Sequence, residues 1–254
     1  MTANGRLRLG VNLDHVATLR QVRRTPYPSV IEAARICEDA GADFITVHLR
    51  EDRRHIQDAD VRELRKVLRV KLNLEMATHP EIVAIALETR PDEVCLVPEK
   101  RQELTTEGGL DVAAKAPALV NTIRTLSDRG IVVSLFVDPE PRQLDAAAEL
   151  GVTCVELHTG AFCDAARADR EGEKTRREME RLIEAARHAH EIGLRVNAGH
   201  GISLETIVDI LQIPYLDTLN IGHSIIARAV FVGLERAVTE MLQKMRLYTG
   251  GRHG

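Results

Sequence analysis

The chain has 254 residues, 44% of them apolar and 28% charged, which suffices for one sizeable core in a single larger α/β domain or two small ones. With 34 basic against 38 acidic residues the net charge is -4, so no global basic field draws the chain to nucleic acid. No apolar run approaches the roughly 18 residues of a spanning helix, and the opening MTANGRLRLG carries charge where a signal peptide is apolar. Four cysteines, Cys37, Cys95, Cys154 and Cys163, form no CxxC pair; a soluble cytoplasmic protein with buried, reduced thiols and no membrane or nucleic-acid partner is expected. Aromatic residues make up only 3%, with no Trp, which points to a core of Val, Ile, Leu and Ala, as in parallel sheets covered by helices.

In chain order, a strand is predicted over 7–13. The segment behind it carries Arg20, Arg23 and Arg24 next to Pro26 and Pro28 and reads as a loop able to hold a phosphate. Helix 28–39, strand 43–49, helix 58–68, strand 70–76, helix 80–89 and strand 93–98 follow. Then come helix 111–128, strand 131–137, helix 139–150, strand 152–158, helix 173–192, strand 194–198, helix 203–211, strand 217–221 and helix 224–245. The stretches EDAGADFITVHL, SDRGIVVSLFVD, AELGVTCVELH and HEIGLRVNAGH each end a helix, turn on glycine and enter a strand; Gly41, Gly130, Gly151 and Gly193 suit the left-handed position there. Strict alternation without a Ser/Gly/Pro-rich linker favours a single-domain (β/α)8 barrel over residues 1–254, with a flexible tail at 249–254. The competing doubly wound sheet lacks a GxGxxG after its first strand.

Barrel active sites lie at the carboxyl ends of the strands. There the predicted strands place Asn12, Asp14 and His15; His48, Arg50 and His55; Asn73 and Glu75; Glu99, Lys100 and Arg101; Glu156 and His158; Asn197 and His200; and Asn220 and His223. A single rim histidine is as readily structural as catalytic, but polar groups converging on one mouth lose several kcal/mol of hydration unless they find partners, so the set reads as catalytic. Gly199-His200-Gly201 and Gly222-His223 fall in the loops that form the usual barrel phosphate site, where backbone N–H groups and a helix amino end meet an anion. The alternative for the first is a tight turn that needs glycine dihedrals. In REDRRH, Arg50 and His55 are expected to point inward and Glu51 and Arg53 to face water.

The motifs GVNLDHVATLR, GADFITVHLREDRRHI, LNLEMA, LVPEKRQELTTEGGLDV, VELHTG, VNAGHG and LNIGHSIIARAV, spread in order from Gly10 to Met245, closely resemble the pyridoxine 5′-phosphate synthase family. The resemblance implies a (β/α)8 barrel that condenses 1-deoxy-D-xylulose 5-phosphate with 3-amino-2-oxopropyl phosphate without metal or organic cofactor, and a homo-octamer. It implies that His48 and Glu75 accept protons, His200 donates one and Glu156 stabilises a transition state. Asn12, Arg23, Gly201, Gly222 and His223 would hold the amino-ketone phosphate; Asp14, His15, Arg50, His55 and Thr105 would hold the deoxyxylulose phosphate. A dianionic phosphate beside His200 would favour its imidazolium form. Two departures stand out: Arg24 occupies a position where the family commonly has glycine, and Phe162 one where tyrosine is usual.

Three rival readings use the same residues. A metal-dependent hydrolase would need ligand spacing that Asp14-His15 does not offer, and no HExxH occurs. A Schiff-base aldolase would rest on Lys100, since Lys71 lies at the wrong end of its strand. A non-catalytic phosphate-binding barrel would not need the histidines.

Overall fold

The structure is a computed structural model and describes residues 6–99 and 108–250. All the predicted strands form: β1 (Arg8–Asn12), β2 (Phe44–His48), β3 (Lys71–Met76), β4 (Glu93–Leu96), β5 (Val132–Val137), β6 (Cys154–His158), β7 (Arg195–Gly199) and β8 (Leu216–Ile221). They close in sequence order into one parallel barrel of eight strands. β1 seals it by pairing with β8, Gly10 opposite Asn220. The register sets Asn12 opposite Thr46, His48 opposite Glu75 and Glu156 opposite Asn197, and parallel direction brings every carboxyl end to one rim.

Side chains alternate along each strand. One set, including Leu9, Val11, Ile45, Val47, Leu72, Leu74, Val155, Leu157, Leu219 and Ile221, joins the helices in a single buried cluster. This is the expected aliphatic core, but it lies outside the barrel wall. The other set fills the barrel with polar groups: Thr46 Oγ1 donates to Asn220 Oδ1 at 3.0 Å, Asn197 Nδ2 donates to Glu93 Oε1 at 3.0 Å, and Asn220 Nδ2 donates to Glu156 Oε2 at 2.5 Å. Gly41, Gly130, Gly151 and Gly193 all take φ between 75° and 104°, as expected after helix ends. All four cysteines are buried and unpaired.

Strict one-to-one alternation does not hold, because the described residues form eleven helices. Two, α1 (Asp14–Arg23) and α2 (Val30–Ala40), separate β1 from β2, and α3 (Asp58–Val67), α4 (Pro80–Thr89), α5 (Val112–Ser127) and α6 (Pro141–Glu149) each cover one crossover. α7 (Gly160–Ala168) and α8 (Glu173–Glu191) precede β7. The segment before β8 keeps only the single turn α9 (Ile207–Ile210), and the last predicted helix splits at Gly233, φ 84°, into α10 (His223–Val232) and α11 (Leu234–Met245). The loop predicted around the basic cluster is the helix α1: Pro26 and Pro28 lie beyond its C-cap, where proline stops a helix without breaking it, and Arg20 and Arg23 sit in its last turn, where the dipole favours cations. Arg24 is that C-cap, at φ 53°, a conformation that suits the glycine common at this position in the resembling family. No described helix is long and apolar enough to cross a membrane.

Candidate active site

Asn12 ends β1, and Asp14 opens α1. The Asn12 amide donates to Asp14 Oδ2 at 3.0 Å and to Glu75 Oε2 at 3.3 Å, while its carbonyl oxygen accepts the Asp14 backbone N–H at 2.9 Å. Asp14 Oδ1 accepts the backbone N–H of His48 at 2.7 Å. One carboxamide and one carboxylate thus tie together the ends of β1, β2 and β3. His48 Nε2 lies 2.9 Å from Glu99 Oε1, and the other Glu99 oxygen accepts the Glu51 backbone N–H at 3.0 Å.

Burial pushes the Glu75 carboxyl well above the usual range, with the Glu156 and Asp14 charges adding to it and the Asn12 hydrogen bond opposing it. Burial also raises Glu156, to about 7, against the hydrogen bond from Asn220. Glu99 differs: burial raises it, but His48, the Glu51 N–H and Arg50 together hold it below the ordinary value. Carboxyls raised by burial beside one held below its ordinary value are suited to both giving and taking protons.

The other predicted ligands of the β1 and β2 ends gather around this cluster. The His48 and His55 ring centroids are 6.0 Å apart, and His15 meets His223 edge-on at 5.0 Å. His55 Nδ1 accepts the Ile56 backbone N–H at 2.9 Å, which puts its proton on Nε2; burial lowers its pKa, and that of His15, further favouring neutral rings. His15 Nδ1 is buried without a hydrogen-bond partner among the described residues. Arg50 is buried and reaches Asp52 at 3.3 Å. Arg53 does not face water as expected: its guanidinium binds the carbonyls of Arg50 and Glu51 and pairs with Asp58.

The basic cluster does not act as a unit. Arg20 is committed to Asp60 by two hydrogen bonds, 2.7 and 2.6 Å, fastening α1 to α3. Arg23 is exposed in the last turn of α1, about 13 Å of helix from Asp14. Lys100, Arg101 and Thr105 lie outside the described residues.

Across the mouth, β7 and β8 carry the two glycine-histidine elements. His200 and Gly201 both have positive φ, 75° and 83°, and a Cβ at Gly201 would stand 2.9 Å from that of Cys163. The turn therefore needs glycine for packing whatever else it does. Gly222 caps α10 and His223 begins it, so free N–H groups of its first turn lie at the rim. Although His200 is solvent-accessible, burial of its ring against the wall and the neighbouring His158 hold its pKa down, to about 4. The protein alone keeps His200 neutral at pH 7, the opposite of what a bound phosphate would do.

Asp14, His48 and Glu75 each offer a ligand atom within 4.8 Å of the others, a trio that strand spacing does not reveal. Its oxygens and the His48 ring are engaged with Asn12, the His48 N–H and Glu99. Sequence reading placed Glu99 and His158 at the rim without a role and missed Asp138, a carboxylate just past β5 that lies 3.0 Å from His158. Its signal was the same as the others': an acid directly behind a strand. Phe162 is fully buried in α7 and packs in the main apolar cluster.

The profile of the family described as pyridoxal phosphate biosynthesis protein PdxJ matches residues 9–247. A pyridoxine 5′-phosphate synthase from a Synechococcus species is 56% identical over 241 residues, covering 95% of this chain and 99% of that protein. Another, from Idiomarina loihiensis, is 55% identical over 235 residues, covering 92% and 96%. Among solved structures, 3-keto-L-gulonate-6-phosphate decarboxylase from Vibrio cholerae superposes with a TM-score of 0.65 at 15% identity, over 96% of this chain and 99% of that one, a likeness of fold alone. By motif, fold and similarity along nearly its whole length, the chain belongs to the pyridoxine 5′-phosphate synthase family.

Proposed function

We propose that the chain condenses 1-deoxy-D-xylulose 5-phosphate with 3-amino-2-oxopropyl phosphate and closes the ring of pyridoxine 5′-phosphate, releasing phosphate and water, by acid–base catalysis with no metal or organic cofactor. The observation that carries this reading is the Asn12 amide joining Asp14 to Glu75 beside His48, with Glu75 and Glu156 both held above the usual carboxylate range. Imine formation, dehydration, phosphate elimination and ring closure are a chain of proton transfers, and each needs a group whose pKa lies near the working pH. His48 and Glu75 take protons, His200 gives one once a phosphate has charged it, and Glu156, fixed by Asn220, stabilises a transition state.

Asn12, Arg23, Gly201, Gly222 and His223 hold the amino-ketone phosphate, the α10 amino end supplying N–H donors. Asp14, His15, Arg50, His55 and Thr105 hold the deoxyxylulose phosphate. The unpaired cysteines suit a reducing cytoplasm. Exposed Leu19, Val22 and Tyr27 at α1, with Val230 and Phe231 in α10, support burial against further copies, up to the octamer the family resemblance implies.

The test is to incubate the purified protein with both substrates, identify the product by mass and count the phosphate released, before and after exhaustive chelation. One phosphate per pyridoxine 5′-phosphate, unchanged by the chelator, is the expected result. No ring product overturns the reading, and activity lost to the chelator and restored by a divalent cation transfers the Asp14–His48–Glu75 trio to a metal.

A further inference from the structure

His158, the last residue of β6, packs edge-on against His200, ring centroids 5.1 Å apart at 63°. Phe136 packs beside both, its ring 5.2 Å from that of His158 and 6.5 Å from that of His200. A Cβ on Gly160, the first residue of α7, would fall 2.4 Å from His158 Nε2 and 2.9 Å from His200 Cδ2, so bare backbone seats both rings. Thr159 fastens the His200 main chain, its hydroxyl donating to the His200 carbonyl at 2.6 Å. On its other side His158 Nδ1 lies 3.0 Å from Asp138 Oδ1, and that same oxygen accepts the Gly109 backbone N–H at 3.0 Å. A carboxylate at Nδ1 fixes the tautomer and orientation of an imidazole and stabilises its cation.

We propose that Asp138 and His158 are positioning residues for His200: Asp138 steadies a positively charged His158, and that charge beside His200 keeps the His200 ring neutral until a substrate phosphate draws a proton to it. The proposal rests on the reading of His200 as the proton donor. Two cations at this spacing repel, and between bulk water and a partly buried site that repulsion amounts to about one pKa unit or more. The direction of the perturbation agrees: after burial, His158 is the largest cause that lowers His200. Among the described residues, the other charged groups that act on the pair are Asp164 and Arg167 of α7, which act on His200 with opposite sign, and Arg181 of α8, which acts on Asp138. The Asp138 carboxyl is held below its ordinary value, chiefly by the His158 hydrogen bond, so it remains the anion of the pair. Phosphate binding then charges the acid only where substrate is present.

The experiment is the pH profile of kcat for the wild type, Asp138→Asn, His158→Gln and the double variant, with His200→Asn as control. Asn at 138 keeps an acceptor for the Gly109 N–H, so this variant decides the matter alone if His158→Gln does not fold. Loss of the protonated donor sets the basic limb. Removing the competing cation should move that limb to higher pH by about one unit in either single variant. The double variant should move no further than His158→Gln, because Asp138 acts through His158. Basic limbs that stay in place, whatever happens to KM or the absolute rate, overturn the proposal, as do additive shifts in the double variant. Wild-type turnover in His200→Asn instead removes His200 as the donor, which is the failure of the underlying reading.

Discussion

Replacing Asn12 with Ala tests the tuning of Glu75. The Asn12 amide is the one neutral group that joins Asp14 to Glu75, through contacts of 3.0 and 3.3 Å. Of the groups acting on Glu75, it alone lowers the pKa, while burial, Glu156 and Asp14 raise it. A hydrogen bond to a charged group is worth about 1.5–3 kcal/mol, and the longer contact belongs at the lower end. At 1.36 kcal/mol per unit, its loss should raise the Glu75 pKa by about one unit. A base must be deprotonated to act, so the acid limb of kcat should move up by the same amount and the rate at neutral pH fall by up to about tenfold. The assay is product absorbance at saturating substrate from acid to alkaline pH. Saturation separates this shift from any rise in KM through lost phosphate contact. An acid limb that stays in place or moves down, with KM alone affected, would show that Asn12 binds substrate without tuning Glu75.

Arg20→Met should cost about 2–3 kcal/mol by leaving the largely buried Asp60 without its cation and with only the Gln57 N–H, which for a chain of this size lowers Tm by about 4–12 °C, while both KM values hold; raised KM at unchanged Tm would restore Arg20 as a phosphate ligand. Because the protein alone keeps His200 neutral and phosphate charges it, the basic limb of kcat should lie at higher pH than that of kcat/KM, and coincident limbs would contradict the linkage. Light scattering should find an oligomer, and Phe231→Glu, at a residue 84% exposed in one copy, should weaken it; a monomeric wild type would remove the assembly argument.

What the sequence made legible follows from what strands and turns demand locally. Parallel strands with aliphatic faces, and glycines such as Gly41 and Gly193 at helix ends, announce themselves residue by residue, and polar groups just past each strand mark the rim. Helix α1 was hidden because Pro26 and Pro28 argue against a helix only in their own turn, and the cap at Arg24 uses a residue that rarely takes positive φ. The polar barrel interior was hidden because alternation in a doubly buried strand does not say which face is the core; Thr46 and Glu93 could be assigned only once the barrel closed. The pairs His48–Glu99 and His158–Asp138 join residues 51 and 20 positions apart. Their contact depends on strand neighbours, closure and rotamers together, which no local pattern records.

The central claim, ring formation by side-chain proton transfer at this rim, is tested most directly by single-turnover mixing of the wild type and His200→Asn with both substrates, following the ultraviolet absorbance of the aromatic product. The substitution keeps a hydrogen-bonding side chain and removes the transferable proton. The account predicts that substrate is bound at near wild-type affinity while product absorbance is delayed by about a hundredfold or more. Absorbance rising at the wild-type rate would contradict it.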